Sequence, residues 1–334
     1  MTGTAEAGAT VYRDGDVDLE LIRARRIGII GYGAQGRAHA LNLRDSGCQV
    51  HVGARPDGAG ARRAAEDGFD VDTVANAAAW SDLISVLLPD QVHRQIVAEE
   101  IGPQLATGDL LLFAHGFSVH FGQVVPPDGV DVALVAPVGP GTTLRRLYVE
   151  DSGIPAVLAV HTDASGRAFD VGLAYAGALG CARVGILPTT FAEETETDLF
   201  GEQAVICGGV SALIRAGFDT LVANGYQPEL AYFECLHQMK LIVDLIHEGG
   251  LAYMHSLISD TAAFGDFSSG PRVMDDHARA AMQGVLDDIR NGSFARAWIE
   301  EAELGAPNLR RAREAEHGEF IETVGSKLRS MMRR

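Results

Sequence analysis

Residues 26–53, RIGIIGYGAQGRAHALNLRDSGCQVHVG, decide the fold of the first half of the chain. An apolar run, Arg26–Ile30, leads directly into the glycine-rich turn at residues 31–36. Apolar residues at helical spacing then continue to about residue 46, and Gln49–Gly53 has the pattern of a second strand. This order is typical of a dinucleotide-binding βαβ unit. A glycine-rich structural turn is the alternative, and the elements on both sides make it the weaker one.

The glycine turn predicts where the pyrophosphate of a dinucleotide would bind. Glycine permits a tight turn, close approach of the backbone to phosphate, and close packing of helix on strand. The following helix supplies amide donors and a favourable dipole. The predicted cofactor-binding residues are Gly31, Tyr32, Gly33, Ala34, Gln35 and Gly36.

The loop after the second strand, residues 54–63, should contact the adenosine ribose. An acidic residue there favours a free 2′-hydroxyl group, whereas arginine or serine favours a 2′-phosphate. The loop contains Asp57 together with Arg55, Arg62 and Arg63. It is therefore ambiguous between NADH and NADPH, and we take Arg55 and Asp57 as candidate cofactor ligands.

Strands and helices alternate up to about residue 187, with further strands predicted at residues 82–88, 110–113, 132–136 and 156–160. In open α/β sheets the carboxyl ends of the strands face the ligand crevice. Gln91, His115 and Gly141 follow three of these strands and are candidates for the cofactor site. His115 is also a candidate catalytic residue, with a structural histidine as the alternative.

From Phe191 onward the apolar spacing is helical, with helices predicted at residues 204–214, 230–247, 278–289 and 294–304. We expect residues 256–266 to form a polar loop and the charged tail beyond residue 305 to lie on the surface. The predicted fold class is thus an α/β Rossmann domain, residues 1–187, followed by an all-α domain, residues 188–334.

Two pairs of polar residues in the helical half suggest a metal site. In the acidic stretch EETETDLFGE, residues 193–202, Asp198 and Glu202 lie at i and i+4 and so share one helix face. Carboxylates on one face suit a hard cation such as magnesium. An acidic helix start that complements the dipole is the alternative. Glu234 and Gln238 are also one turn apart, on an apolar helix where a buried glutamate is costly unless it is paired or binds a metal.

Composition excludes several classes of protein. The formal charge of −18 argues against nucleic-acid binding, which needs a basic surface. No uninterrupted apolar run approaches the roughly 20 residues of a membrane helix. The four cysteines form no CxxC pair, which is typical of reduced thiols rather than a disulfide framework or a zinc site. Because the start also lacks a signal-peptide pattern, we expect a soluble cytoplasmic protein.

Seven separated motifs carry a family resemblance: GYGAQGRAHALNLRDSG at 31–47, LLPDQ at 87–91, AHGF at 114–117, HFGQ at 120–123, EETETDLFGEQ at 193–203, GYQPELAYFECLH at 225–237 and ISDTA at 258–262. Together they resemble ketol-acid reductoisomerase (acetohydroxy-acid isomeroreductase) in its short bacterial form. The resemblance covers nearly the whole chain, from Val11 to about Met332.

The resemblance implies an enzyme of valine and isoleucine synthesis that converts 2-acetolactate, or 2-aceto-2-hydroxybutyrate, to a 2,3-dihydroxy acid with NAD(P)H and two magnesium ions. It implies that Asp198 bridges two metals, that Glu202 ligates one, and that Glu234 helps to hold the second from a partner subunit. Ser259 is implied to contact the substrate carboxylate, and His115 to sit beside the metal waters and the nicotinamide. His115, Glu202 and Ser259 are the implied catalytic residues. The helical domain is implied to be knotted and to build a homodimer or a higher homo-oligomer.

Two positions depart from the family pattern. Val138 stands where the family has a catalytic lysine, and Gln238 where it has a metal-site glutamate, so the second metal site is in doubt. Alkyl migration needs strong Lewis-acid stabilisation, whereas hydride transfer to a ketone makes smaller demands. We therefore hypothesise a paralogue of specialised metabolism that still reduces its substrate while isomerisation is weakened, lost or redirected. The alternatives are an ordinary reductoisomerase and a non-catalytic cofactor-binding protein.

The loop at residues 54–63, here called the ribose loop, also departs from the family pattern. Gly58 and Gly60 stand where the family commonly has serines that hold the 2′-phosphate of NADPH. This difference slightly favours NADH.

Overall fold

The computed structural model describes residues 8–332, and the chain divides into two compact units after Thr195. The boundary expected between residues 187 and 188 stays a prediction. In the described part of the first unit the strands are β1 (Arg26–Ile30), β2 (Gln49–Gly53), β3 (Val71–Asp72), β4 (Leu83–Val86), β5 (Leu110–Phe113), β6 (Asp131–Pro137), β7 (Ala156–Thr162) and β8 (Ile186–Pro188). Its helices are α1 (Glu20–Arg23), α2 (Ala34–Asp45), α3 (Ala59–Glu66), α4 (Val74–Trp80), α5 (Asp90–Ile96), α6 (Phe117–His120), α7 (Gly141–Val149) and α8 (Ala168–Ala178).

The strands form one sheet in the order β3-β2-β1-β4-β5-β6-β7-β8. All neighbouring strands run parallel except β7, which is antiparallel to β6. Moving outward from β1, the chain goes to β2 and β3 on one side and to β4 and β5 on the other. This reversal places a ligand crevice at the carboxyl ends of β1 and β4. The predicted α/β Rossmann unit is confirmed.

Apolar side chains cover both faces of the sheet, which explains why its strands are continuous apolar runs rather than alternating ones. Ile27 and Ile29 of β1 belong to one buried cluster, together with Leu43 of α2 and Tyr175 of α8. Ile30 of β1 belongs to a second cluster on the other face. The turn that follows β1 is therefore held by a rigid strand.

The second unit is helical, as predicted. Helix α9 (Phe191–Phe200) leads into it and continues as a π-helical turn, Gly201–Ile206. Another π-helical turn, Phe233–His237, separates α11 from α12. The other described helices are α10 (Gly208–Ala223), α11 (Pro228–Tyr232), α12 (Gln238–Leu257), α13 (Asp260–Val273), α14 (Asp276–Arg290), α15 (Ser293–Glu303), α16 (Pro307–His317) and α17 (Phe320–Met332).

Two expectations for this half are wrong. The tail beyond residue 305 does not lie wholly on the surface: Ile321, Val324 and Leu328 of α17 are buried against Phe218 and Tyr232. They recur at helical spacing and form an apolar face within a charged sequence. The segment 256–266 is not a loop either, since α12 continues to Leu257 and α13 begins at Asp260.

One continuous helical run, Phe191–Ala223, is long and apolar enough by length and composition to cross a membrane, and only 6% of its most apolar window is buried. A single run of this kind is weak support for a membrane span. The run also carries Arg215, which forms ion pairs with Glu316 and Glu319.

A buried polar chain crosses the first unit and makes it sensitive to acid. His39 of α2 is fully buried, and its Nδ1 lies 2.9 Å from the hydroxyl of Tyr175. That hydroxyl donates in turn to Ser85 of β4 at 3.0 Å. Burial lowers the pKa of His39 to about 3, because no charge compensates the desolvation of an imidazolium.

We expect this histidine to cause loss of stability as the pH falls. Its pKa is lower in the folded state than in the unfolded chain, where it lies near 6.5. The contribution is therefore complete above about pH 6.5 and is lost towards about pH 3, at up to about 1.4 kcal/mol for each pH unit. His39→Gln, which keeps a hydrogen-bonding group but does not titrate, should flatten this part of the profile. Urea unfolding between pH 7 and pH 4 measures it, and parallel profiles for both proteins would contradict the assignment.

Candidate functional site

The glycine turn after β1 is built so tightly that side chains are excluded on its inner side. Gly31 has a φ of 99°, and a Cβ there would lie 2.8 Å from the carbonyl oxygen of Leu87 at the end of β4. A Cβ at Gly36 would overlap the carbonyl oxygen of Gly31. A Cβ at Gly33, by contrast, meets nothing within 4 Å. The turn thus packs closely on the sheet and leaves open space at the N-terminus of α2, where a phosphate would bind.

The start of α7 forms the opposite wall of this space. A Cβ at Gly141 would overlap the carbonyl oxygen of Ala34, so the two helix starts touch through their backbones. The side-chain amide of Gln35 donates to the carbonyl oxygen of Gly139 at 3.0 Å, and its Oε1 is buried without a partner. These contacts bring the loops after β1 and β6 together, and the cofactor-binding roles of Gln35 and Gly141 stay predictions.

A cavity of about 270 Å³ opens beside these helix starts. It is lined by Gly33, Ala34, Arg37, Ala38, Arg63, Gly141, Thr142 and Arg145. Asn42 and Asp45 hold Arg145, whereas the side chain of Arg63 makes no hydrogen bond or ion pair within residues 8–332. Two helix N-termini and three guanidinium groups give the cavity a positive potential that suits an anionic ligand. The fit to a dinucleotide pyrophosphate is good on these grounds.

The ribose loop keeps the ambiguity found in its sequence. Arg55 and Asp57 are both exposed, and Asp57 adopts the left-handed conformation with a φ of 61°. The guanidinium of Arg62 donates to the carbonyl oxygen of Asp57 and thereby closes the loop on itself. Arg62 is thus already engaged, which leaves Arg55 and Arg63 as the cations of this region for a 2′-phosphate.

Glu194 holds His115 and the strand end that carries it. His115 follows β5, and its Nδ1 donates to Oε1 of Glu194 at 3.1 Å. The backbone amide of Gly116 donates to Oε2 of the same carboxylate at 2.8 Å. Because Nδ1 donates to a carboxylate, the neutral ring carries its lone pair on Nε2, the arrangement of a general base. The ring of Phe117 stacks on the imidazole, with centroids 6.4 Å apart.

Gly116 is required for this contact. A Cβ at Gly116 would overlap the hydroxyl of Thr195 and lie 3.0 Å from both Oε2 of Glu194 and the carbonyl oxygen of Phe191. Sequence reasoning missed Glu194, although it lies within the acidic stretch. The signal was present: Glu194 is four residues before Asp198, so a helix places both on one face.

Two of the four predicted metal residues of the helical half lie in π-helical turns. Glu202 belongs to the π-helical turn Gly201–Ile206, in which the amide of Cys207 donates to the carbonyl oxygen of Glu202. Glu234 belongs to the other π-helical turn, Phe233–His237. Such turns occur frequently at functional sites. The i and i+4 argument for Asp198 and Glu202 assumed an uninterrupted α-helix, which the structure does not have.

Gln238 contacts the predicted metal ligand Glu234 directly. Its amide Nε2 donates to Oε2 of Glu234 at 2.8 Å. Ser259 is exposed and caps α13, its hydroxyl accepting from the amide of Ala262 at 3.2 Å. Among residues 8–332, neither Glu202 nor Glu234 belongs to a cluster of three histidine, cysteine or carboxylate ligands. Their metal-binding roles stay predictions, as do those of Asp198, Gln238 and Ser259.

Two family models match the chain. "Acetohydroxy acid isomeroreductase, NADPH-binding domain" matches residues 21–185, and "Ketol-acid reductoisomerase, C-terminal domain" matches residues 191–334. The chain belongs to the ketol-acid reductoisomerase family. It is therefore an NAD(P)H-dependent oxidoreductase of the reductoisomerase type, which acts on a small keto acid, and the expected resemblance is confirmed.

Solved structures agree with this family. An NADH-preferring ketol-acid reductoisomerase from an uncultured archaean is 43% identical, with a TM-score of 0.93, over 96% of this chain and 98% of that one. A semialdehyde dehydrogenase NAD-binding protein from Cupriavidus necator is 20% identical, with a TM-score of 0.61, over 80% and 99%. Pyrroline carboxylate reductase from Plasmodium falciparum is 14% identical, with a TM-score of 0.51, over 81% and 98%. The last two show a shared fold only.

In this reductoisomerase-family chain, we expect Glu194→Gln to lower kcat about 10- to 100-fold with little change in the KM for NAD(P)H. A neutral amide can no longer fix the His115 ring as a carboxylate does, and lost orientation of a catalytic imidazole has effects of about this size. Glu193→Gln is the matched control, because Glu193 is exposed and accepts from Thr189. Steady-state NAD(P)H oxidation measures both variants, and an unchanged kcat for Glu194→Gln would remove this positioning role.

Proposed function

We propose that this protein is a magnesium-dependent NAD(P)H reductase of a 2-keto or ketol acid, related to 2-acetolactate, in which the alkyl-migration step is weakened or redirected. The observation that carries the proposal is the pair of changes at Val138 and Gln238. Both replace charged residues of the family pattern with neutral ones. The remaining candidate residues, His115, Asp198, Glu202, Glu234 and Ser259, are retained.

Val138 changes what the end of β6 offers to a ligand. It follows Pro137, the last residue of β6, and its backbone amide donates to the carbonyl oxygen of Pro155 at 2.8 Å. Its side chain is 59% exposed, which is unusual for valine in this otherwise buried strand region. An isopropyl group supplies neither the charge nor the N–H donors of a lysine. Developing negative charge on a substrate oxygen therefore loses one stabilising group.

Gln238 also weakens charge stabilisation, in this case at the metal ligands. Its amide donates to Glu234, so one oxygen of that carboxylate is already engaged by a neutral partner. A glutamine oxygen can ligate magnesium, but it does not compensate the charge of the cation. The donors Asp198, Glu202 and Glu234 are all carboxylates and fit hard cations. When bound, magnesium would polarise the substrate oxygens, and the loss of a fourth carboxylate weakens the second of two sites.

The roles of the protein side chains follow from their chemistry. Asp198 is proposed to contribute to both cation sites and Glu202 to one of them, and Glu234 with Gln238 to complete the second from a second copy of the chain. The Ser259 hydroxyl is proposed to bind the substrate carboxylate. His115, oriented by Glu194, is proposed to move a proton at Nε2 while the nicotinamide delivers its hydride. This reductive step requires less charge stabilisation than alkyl migration does.

A homodimer is the proposed minimum assembly. The helical unit exposes large apolar side chains to an extent that an isolated soluble helical domain would not sustain. They include Ile206, Leu213, Leu251, Leu257, Phe264, Phe267, Val273 and Leu304. A second copy of the chain that covers these side chains would explain their exposure, because obligate dimer interfaces are large and hydrophobic. We propose the cytoplasm as the location of the enzyme.

Two other functions are the alternatives, and an observation bears on each. An ordinary reductoisomerase of valine and isoleucine synthesis is favoured by the 43% identity to a structure of that activity. It requires that the site tolerates Val138 and Gln238. A non-catalytic cofactor-binding protein is disfavoured by the ordered contacts of Glu194 with His115 and Gly116. Such a carboxylate has no evident purpose in a protein that only binds the dinucleotide.

Two substrates separate the two halves of the reaction. With magnesium and NAD(P)H, we expect the protein to reduce 3-hydroxy-3-methyl-2-oxobutyrate, which needs no alkyl migration, much faster than 2-acetolactate. The double variant Val138→Lys with Gln238→Glu should raise the rate on 2-acetolactate relative to the other substrate. Comparable rates on both substrates in the natural sequence would show that alkyl migration is intact.

Magnesium should also raise the melting temperature of the protein by mass action. No shift of the melting temperature at millimolar magnesium would instead favour the non-catalytic function.

Cofactor choice is the second testable part of the proposal. We propose NADH as the preferred cofactor, because Gly58 and Gly60 offer no hydroxyls for a 2′-phosphate and the relative with 43% identity is NADH-preferring. Arg55 and Arg63 are the cations that support residual use of NADPH.

Arg63→Ala should therefore raise the KM for NADPH more than the KM for NADH. Equal increases for both cofactors would place Arg63 at the pyrophosphate instead. Arg311→Ala, at an exposed site on α16, is the control for a change in net charge. Initial rates at varied concentrations of each cofactor measure all three proteins.

A further inference from the structure

The carboxylate of Asp67 joins two segments that are predicted to contact the cofactor. Its Oδ2 accepts from the hydroxyl of Tyr32 at 2.9 Å and from Nε of Arg37 at 2.6 Å, and its Oδ1 accepts from Nη2 of Arg37 at 2.9 Å. Tyr32 belongs to the glycine turn and Arg37 to the beginning of α2. Asp67 caps the C-terminus of α3, the helix that begins at Ala59 and so includes the second half of the ribose segment 54–63. One side chain therefore connects the phosphate-binding turn to the ribose-binding side of the site.

This connection is stronger than an ordinary surface ion pair. The Arg37–Asp67 contact is bidentate, and the side chain of Asp67 is 17% exposed. The Arg37 guanidinium lowers the pKa of Asp67, and burial with the Asp67 hydrogen bond raises the pKa of Tyr32. A second layer supports it: the ring of Tyr32 packs edge-on against Phe69, and Arg44 lies over Phe69 while donating to the carbonyl oxygen of Asp67.

Tyr32 and Gly60 extend the same contact. The ring of Tyr32 is only 4% exposed, so Tyr32 can serve a cofactor through its backbone but not through its side chain. A Cβ at Gly60 would lie 3.4 Å from the Cβ of Tyr32, which places α3 directly on the turn. Arg37 lines the cavity beside α2, and Asp67 engages two of its nitrogens. Asp67 thus sets the orientation of a cation in that cavity.

We propose that Asp67 is a positioning residue for the nicotinamide dinucleotide. It holds the glycine turn, Arg37 and α3 in one arrangement before the cofactor binds. Binding to a preorganised site avoids the cost of ordering these groups. The proposal rests on the dinucleotide-binding part of the proposed function and is independent of the fate of the alkyl-migration step.

Electrostatics alone predicts the opposite effect, which makes the proposal testable. Asp67 is a negative charge near a site for negatively charged phosphates. If it acted only through its charge, its removal would raise the local positive potential and tighten cofactor binding. If it acts by positioning, removal weakens binding despite the more favourable charge.

The experiment is a fluorescence titration of the purified full-length enzyme with NADH, together with the steady-state kinetics of NADH oxidation. For Asp67→Asn we expect the Kd and the KM for NADH to rise about tenfold, which corresponds to about 1.4 kcal/mol. The kcat at saturating NADH should stay that of the natural protein. Tyr32→Phe, which removes one of the three hydrogen bonds and no charge, should cause a smaller rise.

Asp82→Asn is the matched control. Asp82 also pairs with an arginine, Arg26, but at the opposite end of β1 from the glycine turn. Melting temperatures of all variants separate structural loss from positioning, since Asp82→Asn should lower the melting temperature and leave the Kd unchanged. An unchanged or lower Kd for Asp67→Asn overturns the proposal. If the natural protein does not bind NADH or NADPH at all, the dinucleotide assignment itself fails, and this outcome is distinguishable because it needs no variant.

Discussion

The backbone contact between Gly36 and the carbonyl oxygen of Gly31 is the constraint on which the rest of the site depends. No side chain fits at Gly36, and none fits between Gly31 and the carbonyl oxygen of Leu87. The glycine turn therefore packs against the ends of β1 and β4 without intervening atoms. This close approach places the N-terminus of α2 over the point where the strand order reverses, which is where α/β sheets bind ligands. Gly141 repeats the same device and brings α7 against Ala34.

Two carboxylates hold further segments of the candidate site together. Glu194 accepts hydrogen bonds from His115 and Gly116, and Asp67 accepts them from Tyr32 and Arg37. Both are shielded acids that bind more than one donor, so each joins segments distant in sequence. A charged acceptor with several donors is worth more than isolated surface pairs. The first unit thus combines a rigid sheet with two hydrogen-bonded carboxylates at the end where the sequence predicts the ligand site.

The helical half is stabilised differently. In its described residues, a buried cluster forms around Phe218 and Tyr232 with three residues of α17, while many large apolar side chains remain exposed. Its two π-helical turns contain Glu202 and Glu234, residues that the family resemblance assigns to metal binding. Such turns occur frequently at functional sites, so the position of both glutamates in π-helical turns supports a functional role for them. The contact of Gln238 with Glu234 shows how a neutral substitution is accommodated there.

The sequence by itself determined the class of fold, the cofactor turn and the family, because these depend on local order. Arg26–Ile30, the glycines and the next strand are contiguous, and β1, β2 and β5 have the predicted bounds. Local periodicity also indicated the helical half, and it contains the apolar face of α17. It could not show the π-helical turns or that Tyr232, far away in sequence, covers that face. Only the tertiary structure decided that Glu194 orients His115 and that Asp67 holds Tyr32, since these pairs are separated by 79 and 35 residues. Such contacts are set by how helices pack on the sheet, and no spacing rule encodes them.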